Sequence, residues 1–236
     1  MKILITGTGK GLGSGLAHYY LENGNTVYGI SRNSNNKLDN FQDFHFISQD
    51  LSKFDEIKQR IPGFLMQAGE LDLVILNAGI ISEIKDLKDC TLDEIRNVMD
   101  INVWANKLLI DLLFSNLRSV RQIAAISSGA SVYGNRGWNA YSLSKATLNM
   151  LIKLYAREQE NTHFCAIAPG LIDSGMQDYI YSLRDDPRFS SLDKLKNAKR
   201  TGQMPTPFEA APIVAKSLIK ALDRESGSFL DVREME

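Results

Sequence analysis

Short apolar runs alternate along the chain with longer segments whose apolar residues recur at helical spacing. The short runs predict strands at residues 2–6, 26–30, 44–48, 71–76, 120–127, 163–168 and 228–232. The intervening segments predict helices from the glycine turn to a stop at 23–25, over 53–68, over 91–117 as two helices, over 139–159, and from Thr206. Strands that alternate with helices form a parallel sheet covered on both faces. The pattern therefore predicts one α/β domain over residues 1–236, with a doubly wound parallel sheet.

Two stretches carry neither pattern. Residues 33–43 are polar and are expected to form a loop. Residues 171–206 form a long polar and amphipathic excursion after the sixth strand. Segments this long inside a compact domain are usually lids or binding segments. We therefore expect residues 171–206 to take part in substrate binding.

Composition narrows the classes of partner. The chain has 236 residues, 23% charged, and a formal net charge of −1, which gives no reason to expect a nucleic acid or an anionic membrane as partner. No apolar run reaches transmembrane length, and a strand from residue 2 leaves no room for a signal peptide, so a cytoplasmic protein is expected. Cys90 and Cys165 are expected to be free thiols. The three histidines are scattered without metal-ligand spacing, so no metal is expected.

A glycine-rich turn, residues 6–13, joins the first strand to the first helix. Glycine at this place lets a pyrophosphate approach the backbone N–H groups at the helix N-terminus. The spacing, Gly7-x3-Gly11-x-Gly13, differs from the common G-x-G-x-x-G because position 12 is Leu. The strand–turn–helix–strand context favours a dinucleotide site over a tight turn without a ligand.

The residues after the second strand bear on the choice of cofactor. An acidic residue there accepts the ribose hydroxyls of NAD, whereas an arginine pairs with the 2′-phosphate of NADP. This chain has Ser31 and Arg32, and Lys10 lies within the glycine turn. The two cations favour NADP(H); the alternative is that both are solvated surface residues.

Polar or small residues also follow the third and fourth strands. Asp50, beside Leu51, could accept a hydrogen bond from an adenine amino group or cap the helix over 53–68, and the two roles are compatible. Asn77-Ala78-Gly79 follows the fourth strand, where small residues let the backbone pass close to a cofactor.

A hydroxyl, a phenol and an ammonium are expected to converge after the fifth strand. Ser128 lies just past the end of that strand, where ligands bind in open α/β sheets. Tyr141 and Lys145 are four residues apart in the helix over 139–159, so they share one helix face. Asn102 lies among apolar residues and needs a partner, in catalysis or in helix packing. No nucleophile elbow surrounds Ser128, so a hydrolase is not favoured.

These motifs, in this order, resemble the short-chain dehydrogenase/reductase family over nearly the whole chain. The resemblance implies a Rossmann-like sheet of about seven strands in the order 3-2-1-4-5-6-7, with Asn102, Ser128, Tyr141 and Lys145 as catalytic residues. Ser174 stands where the family usually has Thr. The cofactor-binding residues that the resemblance implies are Gly7, Thr8, Gly9, Lys10, Gly11, Leu12, Gly13, Ser31, Arg32, Asp50, Leu51, Asn77, Ala78, Gly79, Tyr141, Lys145, Pro169, Gly170, Ile172, Ser174 and Met176.

The C-terminal third is similar to a narrower group, the sepiapterin reductases and bacterial benzil reductases, through residues 169–177, 186–187 and 226–231. Asp231 matches the acidic residue with which sepiapterin reductases hold the guanidine-like edge of the pterin; alternatively it is a surface carboxylate. Trp138, Leu171 and Met176 could line a substrate pocket or serve as core or dimer contacts. The implied substrate residues are Ser128, Trp138, Leu171, Met176 and Asp231.

The function that the resemblance implies is an NADPH-dependent carbonyl reductase acting on a small ketone or dicarbonyl, such as a pterin side chain or a 1,2-diketone. Tyr141 would be the general acid, with its pKa lowered by Lys145 and by the charge of the oxidised nicotinamide. Lys145 would also hold the nicotinamide ribose, and Ser128 would bind the carbonyl oxygen. Asn102 would fix a water that links Lys145 to solvent.

Two other functions are compatible with the same residues. One is an NADP-dependent alcohol dehydrogenase working in the oxidative direction. The other is a catalytically silent cofactor-binding regulator, which loss of the Tyr or the Lys would mark. Members of the family commonly pair through the long helices that correspond to residues 100–117 and 139–159, so a homodimer or homotetramer is expected.

Overall fold

A single parallel sheet of seven strands runs through the part of the chain that the computed structural model describes, residues 1–201 and 203–235. The strands are β1 (Lys2–Thr6), β2 (Thr26–Ser31), β3 (Phe44–Ser48), β4 (Leu71–Leu76), β5 (Val120–Ile126), β6 (His163–Ala168) and β7 (Ser228–Asp231). Their order across the sheet is β3-β2-β1-β4-β5-β6-β7. The predicted Rossmann-like sheet and its strand order are confirmed.

Helices cover both faces of the sheet. They are α1 (Gly11–Glu22), α2 (Phe54–Ala68), α3 (Leu92–Met99), α4 (Ala105–Asn116), α5 (Ala130–Tyr133), α6 (Asn139–Glu158), α7 (Gly175–Ser182), α8 (Ser190–Arg200) and α9 (Pro207–Ala221). Helices α2, α4 and α6 pack on one face, and α1 and α9 pack on the other. None of the helices in the described residues is long and apolar enough to cross a membrane.

Each face of the sheet has its own apolar core. On one face the fully buried side chains include Ile61 of α2, Ile110 of α4 and Ile152 of α6. On the other they include Leu16 of α1 and Val214 of α9. Burying one such side chain stabilises the fold by about 1.5–3 kcal/mol, which explains why the strands between the two layers are mostly apolar.

Two helices begin with a capping box, α3 at Thr91 and α9 at Thr206. The Thr91 hydroxyl accepts from the backbone N–H of Glu94 at 3.2 Å, and the Glu94 carboxylate accepts from the backbone N–H of Thr91 at 2.7 Å. The same reciprocal pair joins Thr206 and Glu209, with Pro207 at the first helical position. Such boxes satisfy N–H groups that the helix itself leaves unpaired.

The helical region predicted over 91–117 differs in one respect. Two helices were expected, and α3 and α4 are present, but the chain does not leave the helix between them. A turn of π-helix, Asp100–Trp104, joins them instead. The excursion over 171–206 also gains structure, because α7, a 3₁₀ turn at Pro187–Phe189 and α8 lie within it.

Two helical glycines give a matched test of the packing. A Cβ added to Gly15 of α1 would lie 2.2 Å from the Pro207 carbonyl oxygen at the start of α9, whereas one added to Gly63 of α2 would meet nothing within 4 Å. We expect Gly15→Ala to lower the free energy of unfolding by about 1–3 kcal/mol, because neither backbone can retreat easily. Gly63→Ala should raise it by about 0.5–1 kcal/mol through backbone entropy. Urea unfolding measures both, and an unchanged Gly15→Ala variant would contradict the close approach of α1 and α9.

Candidate active site

A cavity of about 1030 Å³ opens at the carboxyl ends of the strands. It lies over the point where the strand order reverses, between β1 and β4. Ligands of open α/β sheets bind at such a point. The lining runs from Arg32 and Asp50, which follow β2 and β3, to Met176 and Arg233, which follow β6 and β7. The cavity is thus long enough to receive an extended ligand and a second molecule beside it.

Most of the residues proposed from the sequence line this cavity. They are Gly7, Gly9, Lys10, Gly11, Leu12, Ser31, Arg32, Asp50, Leu51, Asn77, Ala78, Gly79, Ser128, Trp138, Tyr141, Lys145, Pro169, Gly170, Leu171, Ile172, Ser174 and Met176. Thr8, Gly13, Asn102 and Asp231 do not line it and are buried. Each of these four contacts a residue that does, so they support the cavity wall from behind.

The glycine turn fits a pyrophosphate. Gly7 and Gly11 have positive φ angles of 79° and 61°, a region that L side chains avoid. A Cβ on Gly13 would lie 2.3 Å from the carbonyl oxygen of Gly7, so Gly13 lets α1 pack closely on the turn. The N-terminus of α1 has no side-chain cap and no acidic residue in its first turn. Its N–H groups and dipole are therefore available to an anion.

The ends of β1 and β4 are joined by hydrogen bonds. The Thr6 hydroxyl accepts from the backbone N–H groups of Asn77 and Ala78, each at 2.9 Å. The Asn77 side-chain amide donates to the Thr6 carbonyl at 2.9 Å. The same amide lies where a side chain on Gly7 would have to go. This junction holds the glycine turn and the segment Asn77–Gly79 at a fixed separation.

The side chain of Lys10 reaches from the glycine turn toward α7. The Nζ of Lys10 lies 3.6 Å from the Cβ position of Gly175, at the start of α7. Gly11 likewise faces Ser174, whose Cβ lies 3.8 Å from the Cβ position of Gly11. The glycine turn and α7 thus meet across the cavity. Arg32 lines the cavity just beyond β2, and the pairing of both cations with one ribose stays a prediction.

Asp50 does not cap α2, which corrects one of its two expected roles. Its Oδ1 accepts from the backbone N–H and the hydroxyl of Ser52, both at 2.9 Å, and the residue that precedes α2 is Lys53. These hydrogen bonds, chiefly the one from the Ser52 backbone, lower the pKa of the Asp50 carboxyl, and Arg32 adds to the shift. The carboxylate remains on the cavity wall as an acceptor.

Ser128, Tyr141 and Lys145 meet where β5 ends and α6 begins. Tyr141 is only 6% exposed, and Ser128 hydrogen-bonds to its phenol. The Nζ of Lys145 donates to the Ile126 carbonyl at 2.7 Å and lies 5.8 Å from the centroid of the Tyr141 ring. It is also 3.5 Å from the Cβ position of Gly79, so the bare backbone there gives Lys145 access to the cavity.

Burial controls the ionisation of Tyr141 and Lys145. It raises the pKa of the Tyr141 phenol above its ordinary value of 10.0, and the hydrogen bond with Ser128 only opposes this shift. Burial also lowers the pKa of Lys145 from 10.5 to about 8. The expected lowering of the Tyr141 pKa by Lys145 is not found in the chain alone, where burial raises that pKa and Ser128 is the group that opposes the rise. At neutral pH the phenol keeps its proton.

Asn102 lies in the π-helical turn between α3 and α4. Its Oδ1 accepts from the Ile80 backbone N–H at 2.8 Å, and its Nδ2 donates to the Ile80 carbonyl at 2.9 Å and to Ser144 of α6 at 2.9 Å. Its backbone carbonyl accepts from Asn106 at 2.8 Å. The side chain therefore ties the segment after β4 to the helix that carries Tyr141 and Lys145.

The excursion over 171–206 packs on the residues that precede Tyr141. The indole N–H of Trp138 donates to Ser191 of α8 at 2.9 Å, and Phe189 packs against Gly137 and Ile84. Trp138 and Phe189 belong to an apolar cluster that also contains Tyr141. The predicted substrate-binding segment is thus a wall of the cavity, anchored beside the phenol.

Asp231 does not face the cavity, which corrects its expected role as a substrate ligand. Its side chain is 5% exposed, and its carboxylate accepts from Nε and Nη2 of Arg233 at 2.8 and 2.5 Å. Arg233 lines the cavity instead. No sequence signal predicts this arrangement, since an Arg two residues after an Asp is a common spacing with no motif attached.

The fold and the cavity define a dinucleotide-dependent oxidoreductase site, with a phosphate-binding turn at one end and a buried phenol, hydroxyl and ammonium at the other. In agreement, the family model described as short chain dehydrogenase matches residues 1–184. The chain belongs to this family, whose members use a nicotinamide cofactor, and is an oxidoreductase acting on carbonyl or alcohol groups.

Known proteins similar over the whole length support this placement. A benzil reductase ((S)-benzoin forming) of Bacillus subtilis is 29% identical, covering 98% of each chain. A benzil reductase of the same description from Bacillus cereus is 27% identical, covering 98% of this chain and 99% of its own. The crystal structure of a short chain dehydrogenase/reductase from Saccharomyces cerevisiae superposes with a TM-score of 0.87 at 23% identity, covering 99% and 96% of the two chains.

The buried ammonium of Lys145 predicts a pH-dependent stability difference. Its folded-state pKa of about 8 lies below its ordinary value of 10.5, so the unfolded chain binds the extra proton between these values and stability rises with pH there. We expect the Tm of Lys145→Met minus that of the wild type to be greatest below about pH 8 and to fall toward pH 10.5. Differential scanning fluorimetry across this range measures it. The exposed Lys153→Met on the same helix is the matched control, and an equal trend there would contradict the assignment.

Proposed function

We propose that the protein is an NADPH-dependent carbonyl reductase acting on a small ketone or vicinal dicarbonyl. The observation that carries this proposal is the buried phenol of Tyr141, hydrogen-bonded to Ser128, on the wall of the same cavity as the glycine turn. The similarity to benzil reductases over the full chain supports a dicarbonyl among the candidate substrates.

Each residue of the site has a distinct task in this reaction. The glycine turn and Asn77–Gly79 would hold the nicotinamide cofactor, which would supply the hydride when bound. Ser128 hydrogen-bonds the substrate oxygen and stabilises its developing charge. Tyr141 donates its proton to that oxygen, and Lys145 holds the ribose hydroxyls and stabilises the phenolate left behind. Asn102 positions α6 and the Ile80 backbone, and orders the route by which the proton is replaced.

The ionisation states favour the reducing direction. A general acid must hold its proton until the substrate oxygen needs it. Burial keeps the pKa of Tyr141 above its ordinary value, so the phenol is protonated at neutral pH. The alternative, an alcohol dehydrogenase, needs the phenolate and is favoured by alkaline conditions. A silent regulator is disfavoured because Ser128, Tyr141, Lys145 and Asn102 are all present.

NADPH is proposed as the cofactor on the strength of Arg32. It follows β2 and lines the cavity, and its guanidinium suits a 2′-phosphate. Lys10, which reaches toward Gly175, is assigned to the pyrophosphate region instead.

We also propose a homodimer or homotetramer in a reducing cytoplasm, with α6 at the interface, because Leu143, Met150 and Leu154 expose an apolar stripe along it.

Replacing the phenol tests the mechanism. Tyr141→Phe should reduce kcat for benzil to below about one-hundredth of the wild type, since the general acid is lost. NADPH should still bind, as measured by quenching of tryptophan fluorescence. Tyr155→Phe removes another phenol of α6 that hydrogen-bonds Asp111 rather than lining the cavity, and should retain activity. Turnover that persists in Tyr141→Phe rules out the proposed acid.

Replacing Arg32 tests the cofactor. Arg32→Asp should shift the ratio of kcat/KM for NADPH over NADH by at least about 100-fold toward NADH, because a charge attraction becomes a repulsion. Arg118→Asp changes the same charge at an exposed position outside the cavity and should leave the ratio unaltered. An unaltered ratio in Arg32→Asp would remove Arg32 from cofactor selection.

A further inference from the structure

Arg233 occupies the position in the cavity wall where a substrate-binding carboxylate was expected. Its Nη2 lies 3.9 Å from the Cβ position of Gly129, the residue after Ser128. Its Cγ lies 4.0 Å from the Cβ position of Gly170, after β6. The side chain therefore runs between two glycines, and its guanidinium ends beside Gly129, which is bonded to Ser128 in the chain.

The guanidinium is held in one orientation. Asp231 binds its Nε–Nη2 edge through two hydrogen bonds, and the carboxylate is buried. Among the described residues, Asp231 is the sole hydrogen-bond partner of this guanidinium. Because a guanidinium has five N–H donors, the Nη1 group remains available to a ligand. The ring of Tyr133 packs on Gly129 beside it and also lines the cavity.

The part of the cavity wall formed by Arg233 offers hydrogen-bond donors. Lys194 and Arg233 are cations of the cavity lining, and Asp50, the only acidic residue in its described lining, follows β3 at the edge of the sheet opposite to β7. A substrate edge that carries N–H groups, such as that of a pterin, would need an acceptor here. The acceptor of the C-terminal segment, Asp231, is already bound to Arg233.

From this geometry we propose that Arg233, clamped by Asp231, selects substrates that carry a second carbonyl oxygen next to the reacting carbonyl. Ser128 and Tyr141 bind the oxygen that is reduced, and Nη1 of Arg233 donates to the neighbouring one. The proposal rests on the reductase function proposed above and narrows its substrates to vicinal dicarbonyls rather than pterin-like molecules.

Two ketones that differ by one oxygen test the role of Arg233. Benzil has two adjacent carbonyls, and deoxybenzoin has one on the same carbon skeleton. Hydrogen bonds to charged groups are strong enough that Arg233→Met should lower kcat/KM for benzil by at least about tenfold. Deoxybenzoin should lose less than about twofold. The ratio of kcat/KM in the variant to that in the wild type is taken for each ketone separately, so the different intrinsic reactivities of the two ketones cancel.

Three further variants separate recognition from structure. Arg233→Lys keeps a cation without the planar fork and should recover part of the preference for benzil. Asp231→Asn loosens the clamp and should lower the preference in the same direction by a smaller factor. Arg157→Met removes an exposed arginine that pairs with Glu225 away from the cavity, and should leave both substrates unaffected. A loss of equal factor for both ketones in Arg233→Met would overturn the proposal.

A binding measurement distinguishes this proposal from the proposed function. If the wild type reduces neither ketone, the reductase assignment fails, and the affinities of both ketones are measured by quenching of the fluorescence of Trp138, which lines the cavity. Tighter binding of benzil that is lost in Arg233→Met supports the role of Arg233. Equal effects of the substitution on both affinities overturn it.

Discussion

The junction between the ends of β1 and β4 is the constraint on which the rest of the site depends. One threonine hydroxyl, that of Thr6, accepts two backbone N–H groups from the neighbouring strand end, and one amide, that of Asn77, returns a bond to Thr6. Unsatisfied backbone groups at a buried strand end cost about 1–3 kcal/mol each. By satisfying them, the junction fixes the width of the crevice in which the glycine turn lies.

A second junction transmits that position to the catalytic helix. Asn102 binds both backbone groups of Ile80 and reaches Ser144 of α6. The π-helical turn places the side-chain amide of Asn102 between the segment after β4 and α6. Such bulges are frequent at functional sites. Tyr141 and Lys145 are thus positioned from β5 through Ile126 and from β4 through Asn102. The reactive groups are therefore held by the ends of the strands.

Much of this arrangement follows from sequence patterns, because periodic burial and strand-end position are local properties. The alternation of strands and helices, the glycine turn and the meeting of Ser128 with Tyr141 and Lys145 all follow from them, whereas the strand order was implied by the family resemblance. Three features depended on contacts between distant residues. The π turn at Asn102 has no propensity signal, and the direction of the Tyr141 pKa depends on how completely the fold buries it. Asp231 is acidic, as expected, but its carboxylate binds Arg233. Arg233 lines the cavity in its place, so the cavity wall carries a cation there and not an anion.

The contact of the glycine turn with α7 makes the two halves of the cavity thermodynamically dependent on each other. Lys10 and Gly11 lie against Gly175 and Ser174, at the point where the excursion begins its first helix. If a ligand bound at the glycine turn stabilises α7, a substrate that orders α7 must tighten the binding of that ligand by the same free energy. Through such linkage, occupation of either half of the cavity raises the affinity of the other half by the same factor, whichever ligand binds first.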